Sequence, residues 1–250
     1  FYRAHIEFTA ADDLPGIAMS LNSLGNVYQA NGDVDNALAF FDEALEISDA
    51  LGDREATLQA LANKAAALIG ADRLDEAASI IETGEEQAGG PFLPLQINKG
   101  ILMIKQGAFP QAQAELEKAL AGAASQDRAS QAKIHFALGR LMRVQENAAG
   151  AIDYFQQALA DDRANGFYAG MAQDHTNLGD THLQQASPEK ALAHYKQAIK
   201  LYALLGDGPH VKQVMEKLEQ TAAGTGADIR LTTHFVKRWL EDKRLDRPCE

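Results

Sequence analysis

The feature that most constrains this chain is a pattern of spaced small and large residues that recurs five times. Each copy begins with a small residue that is followed three positions later by a large one. Beyond a turn comes an Ala, then a large residue four positions after the Ala, and then a small residue three positions after that. The first small residue of each copy lies at position 25, 65, 100, 139 or 179, so the copies are spaced by 40, 35, 39 and 40 residues. A period in this range is typical of proteins built from one repeated supersecondary unit. The first copy reads Leu24, Gly25, Tyr28, Ala37, Phe41 and Ala44.

The spacing inside each copy is helical. Steps of three and four place the members of a copy on one face of a helix. Gly and Ala occupy the positions where two helix axes approach closely, and larger side chains fill the space around them. Turn signals separate the two helices, as at 31–33 and 186–189, where Ser187 is a good cap and Pro188 suits a first turn. Because one hairpin cannot bury its apolar face, neighbouring hairpins must stack. The sequence therefore predicts an all-α fold, an α-solenoid.

These residues resemble the tetratricopeptide repeat (TPR) family, whose consensus carries the Leu-Gly, Tyr, Ala, Phe/Tyr and Ala positions. The resemblance covers residues 13–205, although the Trp usual in the first helix is replaced in every copy. A spacing near 40 residues, rather than the minimal 34, resembles the long-repeat subclass found in kinesin light chains and cell-polarity adaptors. The resemblance implies a right-handed solenoid of TPR helical hairpins whose first helices line a concave, peptide-binding groove.

The pattern divides the chain into four predicted segments. Residues 1–12 match the second helix of a truncated preceding repeat, so we expect the natural protein to be longer at its N-terminus. Residues 13–205 hold five TPR-like hairpins. Residues 206–222 are predicted to form a capping helix, which a solenoid needs at its end. Residues 223–250 are predicted to form a linker and a C-terminal amphipathic helix.

Composition and motifs argue against several function classes. The formal charge of −12 argues against a nucleic-acid partner, and no apolar run reaches the ~20 residues of a transmembrane segment. His175 and His182 lie two helical turns apart, too far for one ion to join both, so no metal and no cofactor is predicted. No phosphate-binding or nucleophile motif is present, so no enzyme is predicted. The pair Asp161–Asp162 falls at a helix end, where we expect it to be solvated.

Asparagine recurs beside the Leu-Gly position of the first helices, where the family resemblance places ligand contacts. Inside a helix Asn is disfavoured against Ala by ~0.5 kcal/mol, so its repeated use on one face suggests a purpose. An amide offers a donor and an acceptor, and it can pair with the main chain of an extended peptide. The alternative is that these amides bridge adjacent helices inside the stack. The residues concerned are Asn22, Asn26, Asn63, Asn98 and Asn177.

Arg140 and Arg143 form a local positive spot on the first helix of the fourth copy. In a chain with a net charge of −12, this spot suits an acidic side chain or a carboxylate of a ligand. The alternative is an internal salt bridge from this spot, which Lys133 extends along the same helical stripe, to a neighbouring copy, for instance to Asp174 or Asp180. The two alternatives stay open at the level of the sequence.

The sequence thus predicts an adaptor that binds a peptide or a partner segment with an acidic feature. Asp180 completes the candidate groove, and Tyr28 and Leu183 are expected to form its apolar floor. The alternative function is a self-associating scaffold, a homo-oligomer, for which Phe235 and Trp239 supply apolar surface; the same two residues instead serve as a cap if they pack on the preceding helix. The compartment stays open between the cytoplasm and, if a preceding segment carries a signal or a lipid-anchor cysteine, a bacterial envelope or periplasm.

Overall fold

The structure is a computed structural model that describes residues 1–124 and 127–242. Within these ranges it contains thirteen α-helices and no β-strand, so the predicted all-α fold is confirmed. The chain divides into two compact units, Phe1–Gly122 and Ala123–Glu250, which we call unit 1 and unit 2. None of the helices in the described part of the chain has both the length and the apolar character that crossing a bilayer requires.

Unit 1 contains one N-terminal helix and three helical hairpins. The helix α1 packs on α2, and the hairpins are α2–α3, α4–α5 and α6–α7. The first helices lie side by side, since α2 contacts α4 and α4 contacts α6. We call the first helices of the hairpins the first-helix layer. The helices are α1 (Tyr2–Ala10), α2 (Leu14–Ala30), α3 (Val34–Leu51), α4 (Arg54–Gly70), α5 (Leu74–Ala88), α6 (Leu93–Lys105) and α7 (Phe109–Gly122).

Unit 2 contains two hairpins followed by two further helices. The hairpins are α8–α9 and α10–α11, with α12 packed on α11 and α13 in contact with both α11 and α12. The first-helix layer of unit 2 consists of α8, α10 and α12, the last of which follows the second hairpin as a single helix. The helices are α8 (Arg128–Val144), α9 (Ala148–Asn165), α10 (Tyr168–Gln184), α11 (Pro188–Leu204), α12 (Gly208–Thr225) and α13 (Arg230–Asp242).

The helix α12 continues to Thr225, beyond the end predicted for the capping helix at position 222. The small residues that suggested a linker continue the helix, and the Thr225 hydroxyl donates to the Thr221 carbonyl over 3.2 Å. The helix ends where Gly226 adopts a left-handed conformation with a φ of 71°. Such a conformation is the usual end of a helix, and it is open to Gly at little cost.

The repeated small residue is needed because a large side chain of the second helix packs directly on it. A Cβ atom added at Gly25 would lie 2.5 Å from the ring of Phe41, and one added at Gly139 would lie 2.7 Å from the ring of Phe155. In both hairpins the aromatic residue follows the glycine by 16 positions. The spacing in the sequence therefore reflects a close contact between the two helices of a hairpin.

Each hairpin turn places one residue in the left-handed region of backbone conformation. Gly32 and Gly107 do so in two turns, whereas Asp72, Glu146 and Ala186 do so in the other three, with φ values of 58°, 60° and 51°. A residue with a Cβ atom is disfavoured in this conformation by ~1 kcal/mol. The packing of the helices, rather than the local preference of the residue, therefore sets the conformation of these turns.

Candidate functional site

In unit 1, Asn22 and Asn63 bond to each other across neighbouring first helices. Asn63 Nδ2 donates to Asn22 Oδ1 over 3.0 Å, and Gln59 Nε2 donates to Asn63 Oδ1 over 3.0 Å. All three side chains are half-buried. Their amides therefore form a hydrogen-bonded chain that joins α2 to α4.

Asn98 lies inside the same layer and is 9% exposed. Its Nδ2 donates to the main-chain oxygen of Ala62 over 2.7 Å, which ties α6 to α4. A buried amide without a partner costs ~1–3 kcal/mol, so this bond, which pairs the Asn98 side chain, stabilises the packing of the two helices. The prediction that Asn98 offers its amide to a ligand is corrected accordingly. Bridging between helices, the alternative that the sequence left open, describes Asn22, Asn63 and Asn98.

Asn26 and Tyr28 follow the Leu-Gly pair of the first hairpin. Asn26 is exposed, and it is the member of the predicted set in unit 1 whose side chain faces solvent. The Tyr28 hydroxyl lies 2.5 Å from the hydroxyl of Tyr2, and its ring centroid lies 5.1 Å from that of Phe40. Tyr28 therefore contacts both α1 and α3, and a contribution to a groove floor stays a prediction.

In unit 2, one carboxylate of the first-helix layer accepts hydrogen bonds from three other helices. Asp180 in α10 accepts from Tyr195 Oη in α11 over 2.8 Å, from Lys217 Nζ in α12 over 2.7 and 2.8 Å, and from Arg143 Nη1 in α8 over 3.4 Å. Arg143 precedes Asp180 by 37 residues and Lys217 follows it by 37. Charges of alternating sign at two equal spacings close to the repeat length are a signal in the sequence that points to Lys217, which sequence reasoning missed.

Arg140 lies one turn before Arg143 in α8, and its side chain is half-buried. Within the part of the chain that the structure describes, its guanidinium forms neither an ion pair nor a hydrogen bond. Burial lowers the pKa of Arg140, and the positive charge of Arg143 lowers it further. The internal salt bridge to Asp180, which the sequence left open as the alternative, is formed by Arg143 and does not include Arg140. We call Arg140, Arg143 and Lys217 the cation cluster.

Leu183 lies beside the cation cluster, and Asn177 lies one turn before Asp180. Leu183 is 44% exposed and lines a pocket of about 490 Å³ together with Asp180, Tyr195 and Lys217. Asn177 Nδ2 donates to the carbonyl of Gln173 in its own helix over 2.9 Å. The structure therefore brings Arg143 to Asp180 in unit 2, places Leu183 beside Asp180 in the pocket, and leaves Arg140 one turn from Arg143 in α8.

A buried pair of carboxylates in unit 2 was missed by the sequence analysis. Asp162 and Asp174 are 5% and 1% exposed, and neither oxygen of Asp174 has a hydrogen-bond donor among the described residues. Burial raises the pKa of Asp174 to about 8, with the charge of Asp162 adding to the effect; burial also raises the pKa of Asp162 to about 6. A proton kept on Asp174 gives the carboxyl pair an O–H donor, which neither carboxylate has when both are ionised. The prediction that Asp161–Asp162 is solvated is wrong, since Asp161 is buried against Arg128 Nη1 at 2.6 Å and His135 Nδ1 at 2.8 Å.

Three imidazoles pack together between α10 and α11. Nδ1 of His175 lies 3.0 Å from Nδ1 of His194, and the ring of His182 stacks on that of His194 with centroids 5.3 Å apart. Burial lowers the pKa of His175 to about 4, so the contact joins neutral rings. Among the described residues, no group of three or more His, Cys, Asp or Glu side chains is arranged to hold a metal ion.

The helix α13 packs on α11 and α12 through Val236. Val236 is 4% exposed and belongs to the apolar core formed with α11 and α12, whereas Leu231 and Phe235 are 70% and 40% exposed. Val236 is therefore the residue of α13 that enters the core, and a contribution of Phe235 to the cap stays a prediction. Trp239 lies in α13, and its side chain lies outside the described residues.

The two units differ in charge. Residues 1–122 hold 7 Lys and Arg against 19 Asp and Glu, so the formal charge of −12 lies entirely in this part of the sequence. Residues 123–250 hold 16 of each and are neutral. The cation cluster therefore lies in the unit that carries no net charge.

Stacked helical hairpins with a glycine-to-aromatic contact define a helical repeat protein. Family models described as tetratricopeptide repeat match residues 16–87, 98–166 and 175–203. These matches cover more than half of the sequence, and the chain belongs to the tetratricopeptide repeat family. The family gives the chain a general role in protein–protein interaction, and its members generally act as scaffolds rather than enzymes.

Solved structures share the fold. A thermophilic TPR protein of Thermus thermophilus, TTC0263, is 18% identical with a TM-score of 0.64, and the match covers 82% of this chain and 99% of that one. BtubC (BKLC) from P. vanneervenii is 20% identical with a TM-score of 0.59, covering 82% and 89%. A chain of the APC/C hetero-tetramer Cut9–Hcn1 is 16% identical with a TM-score of 0.63, covering 96% of this chain and 45% of that one. At these identities the likeness establishes the α-solenoid fold alone. No curated protein sequence matches the chain.

Proposed function

We propose that the chain is an adaptor that holds an acidic segment of a partner protein at the first-helix layer of unit 2. The observation that carries this proposal is Arg140, a half-buried guanidinium without a counter-ion among the described residues. A cation that has lost part of its hydration is stabilised by an incoming carboxylate, and guanidinium groups suit the geometry of a carboxylate.

The charges around Arg140 favour the same ligand. The cation cluster holds three positive charges, and Asp180 is the carboxylate that faces two of them. The side chains of Arg143 and Lys217 are 23% and 33% exposed, so a ligand can reach them from solvent. Partly buried charges are screened less by salt than fully exposed ones, which supports a specific contact rather than a diffuse attraction.

The asparagines have a smaller part in this proposal than the sequence suggested. Asn22, Asn63 and Asn98 stabilise the first-helix layer of unit 1 through bonds to one another or to main chain. Asn26, which is exposed, keeps the proposed role of pairing with the main chain of a partner segment. Asn177 is available in the same way if its bond to Gln173 opens.

Titration with a labelled hexaglutamate peptide tests the proposal. We expect Arg140→Gln/Arg143→Gln to weaken binding by about tenfold or more, which corresponds to about 1.4 kcal/mol. The matched control is Lys200→Gln/Lys212→Gln, which removes two exposed positive charges of unit 2 outside the cluster. A hexaglutamine peptide controls for binding that does not depend on charge.

Two results would contradict the proposal. The first is equal binding of hexaglutamate and hexaglutamine to the natural chain. The second is an equal loss of affinity in the cluster variant and in the control variant, because the effect would then follow net charge rather than the site. A non-enzymatic role is part of the proposal, since it requires binding alone.

A second candidate function, self-association, is supported by the exposed side chains of Leu231 and Phe235. They lie four residues apart on α13, on one face of the helix, and exposed apolar groups of this size mark interaction surfaces. Light scattering of the chain with and without residues 228–250 tests this function. The variant Leu231→Ser/Phe235→Ser should lower the measured mass if this face joins two copies. A monomeric natural chain contradicts self-association, and a variant with the mass of an oligomeric natural chain contradicts the role of this face.

A further inference from the structure

The carboxylate of Asp180 occupies the position that a ligand carboxylate would take in the cation cluster. It accepts hydrogen bonds from Arg143 and Lys217, two of the three cluster members. We propose that Asp180 is an internal competitor that must give up Arg143 and Lys217 when an acidic segment binds, and that it thereby sets the affinity of the site. This inference rests on the proposed function and names a residue that regulates it.

The bonds that Asp180 would lose differ in length: those from Lys217 are short, at 2.8 and 2.7 Å, and the one from Arg143 is long. The contact with Arg143 spans 3.4 Å, at the long end of the range for hydrogen bonds. The side chains of Asp180, Arg143 and Lys217 are 25%, 23% and 33% exposed, so water and an incoming carboxylate can reach all three. The ammonium of Lys217 ends a flexible stem, so it can turn from one carboxylate to another.

The bond that Asp180 would keep comes from a buried neutral donor. Tyr195 is 1% exposed, and its hydroxyl lies 2.8 Å from Asp180 Oδ1. Burial raises the pKa of Tyr195, and the charge of Asp180 raises it further, so the hydroxyl stays protonated and keeps donating. Asp180 therefore retains a partner after the cations turn away, which lowers the cost of the exchange.

The pocket beside Asp180 provides the space for this exchange. It has a volume of about 490 Å³ and is lined by Asp180, Lys217, Tyr195 and Leu183 among others. A carboxylate of an acidic segment that enters the pocket can reach Lys217, which is one of the lining residues. Arg140 is not among the lining residues; it lies one turn from Arg143 in α8 and has no internal counter-ion among the described residues, so it can receive another carboxylate of the segment without a movement of Asp180.

The substitution Asp180→Asn tests the inference, because it removes the charge and keeps an oxygen that can accept from Tyr195. We expect hexaglutamate to bind about tenfold more tightly, since Arg143 and Lys217 are no longer neutralised. The matched control is Asp153→Asn, which makes the same change of charge at an exposed carboxylate of α9 that accepts a bond from Gln157. The control should change the affinity by less than about twofold.

A second variant tests the inference in the opposite direction. Tyr195→Phe keeps the ring that packs on Gly179 and removes the neutral donor. Asp180 then depends more strongly on Arg143 and Lys217, and we expect hexaglutamate to bind about threefold less tightly. Circular dichroism of each variant shows whether the helices are retained, and the opposite directions of the two effects separate competition from a general loss of structure.

The outcomes distinguish this inference from the proposed function. Tighter binding by Asp180→Asn than by Asp153→Asn supports the inference, whether or not the natural chain binds measurably. Binding to the natural chain that Asp180→Asn leaves equal or weaker overturns the inference and leaves the proposed function standing. An absence of binding in the natural chain and in both variants overturns the two together.

Discussion

Unit 1 and unit 2 use the same repeat to build first-helix layers with different polar chemistry. In unit 1 the layer is joined by neutral amides, where Asn63 bonds Asn22 and Asn98 bonds the Ala62 carbonyl. In unit 2 it is joined by charges, where Asp180 bonds Arg143 and Lys217. An amide offers one donor group and one acceptor that can pair completely within the layer, whereas the ions of unit 2 leave cations in excess. We therefore expect the first-helix layer to bind a ligand where its charged side chains lack internal partners.

The distribution of charge extends this comparison. The second helices α3 and α5 of unit 1 hold five acidic residues each and no Lys or Arg. A surface of one sign repels ligands of that sign and keeps a protein soluble. We therefore expect unit 1 to disfavour an acidic segment and unit 2, which is neutral and holds the cation cluster, to accept it.

We expect the greatest loss of stability from changes to the glycine-to-aromatic contact, which both units contain. Gly139→Ala should lower the free energy of unfolding by about 2–3 kcal/mol, because the new Cβ atom would overlap the ring of Phe155. Gly25→Ala should have a similar effect in unit 1, where Phe41 takes the place of Phe155. Urea unfolding followed by circular dichroism measures both.

The control for these glycines lies in open space. A Cβ atom added at Gly224 in α12 or at Gly70 in α4 meets no atom within 4 Å. Gly224→Ala and Gly70→Ala should leave stability unchanged or raise it by up to ~1 kcal/mol, since Ala favours a helix. Equal losses at all four positions would show that the glycine-to-aromatic contact does not hold the hairpins together.

The next effect should occur in unit 2 alone and depend on pH. The pKa of Asp174 rises from 3.8 to about 8 on folding, so folded protein keeps a proton that unfolded protein loses between these values. Stability from this carboxyl is therefore fully present below pH 4 and is lost as pH rises through 8. Asp174→Asn should raise stability relative to the natural chain by about 2 kcal/mol more at pH 8 than at pH 5.

Thermal unfolding at the two pH values measures this difference, with Asp153→Asn as the control. An Asn side chain can donate to Asp162 at any pH, which is why the variant gains at high pH. The lowered pKa of His175 acts in the opposite direction at acid pH, and it cancels when variant and natural chain are compared at one pH. A difference that does not change between pH 5 and pH 8 would mean that Asp174 is ionised in the folded chain.

A smaller effect separates packing from binding in unit 1. Asn98→Ala should lower the free energy of unfolding by about 1 kcal/mol, because the layer loses the hydrogen bond that ties α6 to the Ala62 carbonyl of α4. Asn26→Ala, at an exposed position in α2, should leave stability within about 0.5 kcal/mol of the natural chain. Equal losses from the two changes would contradict the distinction between a bridging and an exposed asparagine.

The smallest effect concerns a turn of unit 2. Ala186 has a φ of 51°, and Ala186→Gly should raise stability by about 0.5–1 kcal/mol because Gly adopts this conformation without a Cβ penalty. The same substitution at Ala193, an exposed position inside α11, should lower stability by about 1 kcal/mol. A loss of stability in both variants would indicate that the turn is not strained.

The repeat was predictable from the sequence because the contact between Gly25 and Phe41 recurs at a fixed spacing. The bonds between neighbouring repeats were harder to predict, since Asn22 and Asn63, or Arg143 and Asp180, come together only when the helices stack. Asp162 and Asp174 were missed because burial of a helix end depends on the next hairpin. Arg140 was identified as a candidate ligand-binding residue from its position after Gly139. The sequence could not show whether its guanidinium pairs with a carboxylate of the chain or of a ligand.

The central claim is that the incompletely paired cations of unit 2, and not the amides of unit 1, receive an acidic segment. The most direct test is an NMR titration of the isotope-labelled chain with hexaglutamate, which reports each backbone amide separately. The account predicts shifts centred on Arg140, Arg143, Asp180 and Lys217. Shifts centred on Asn22, Asn26 and Asn63 with none around the cation cluster would contradict it.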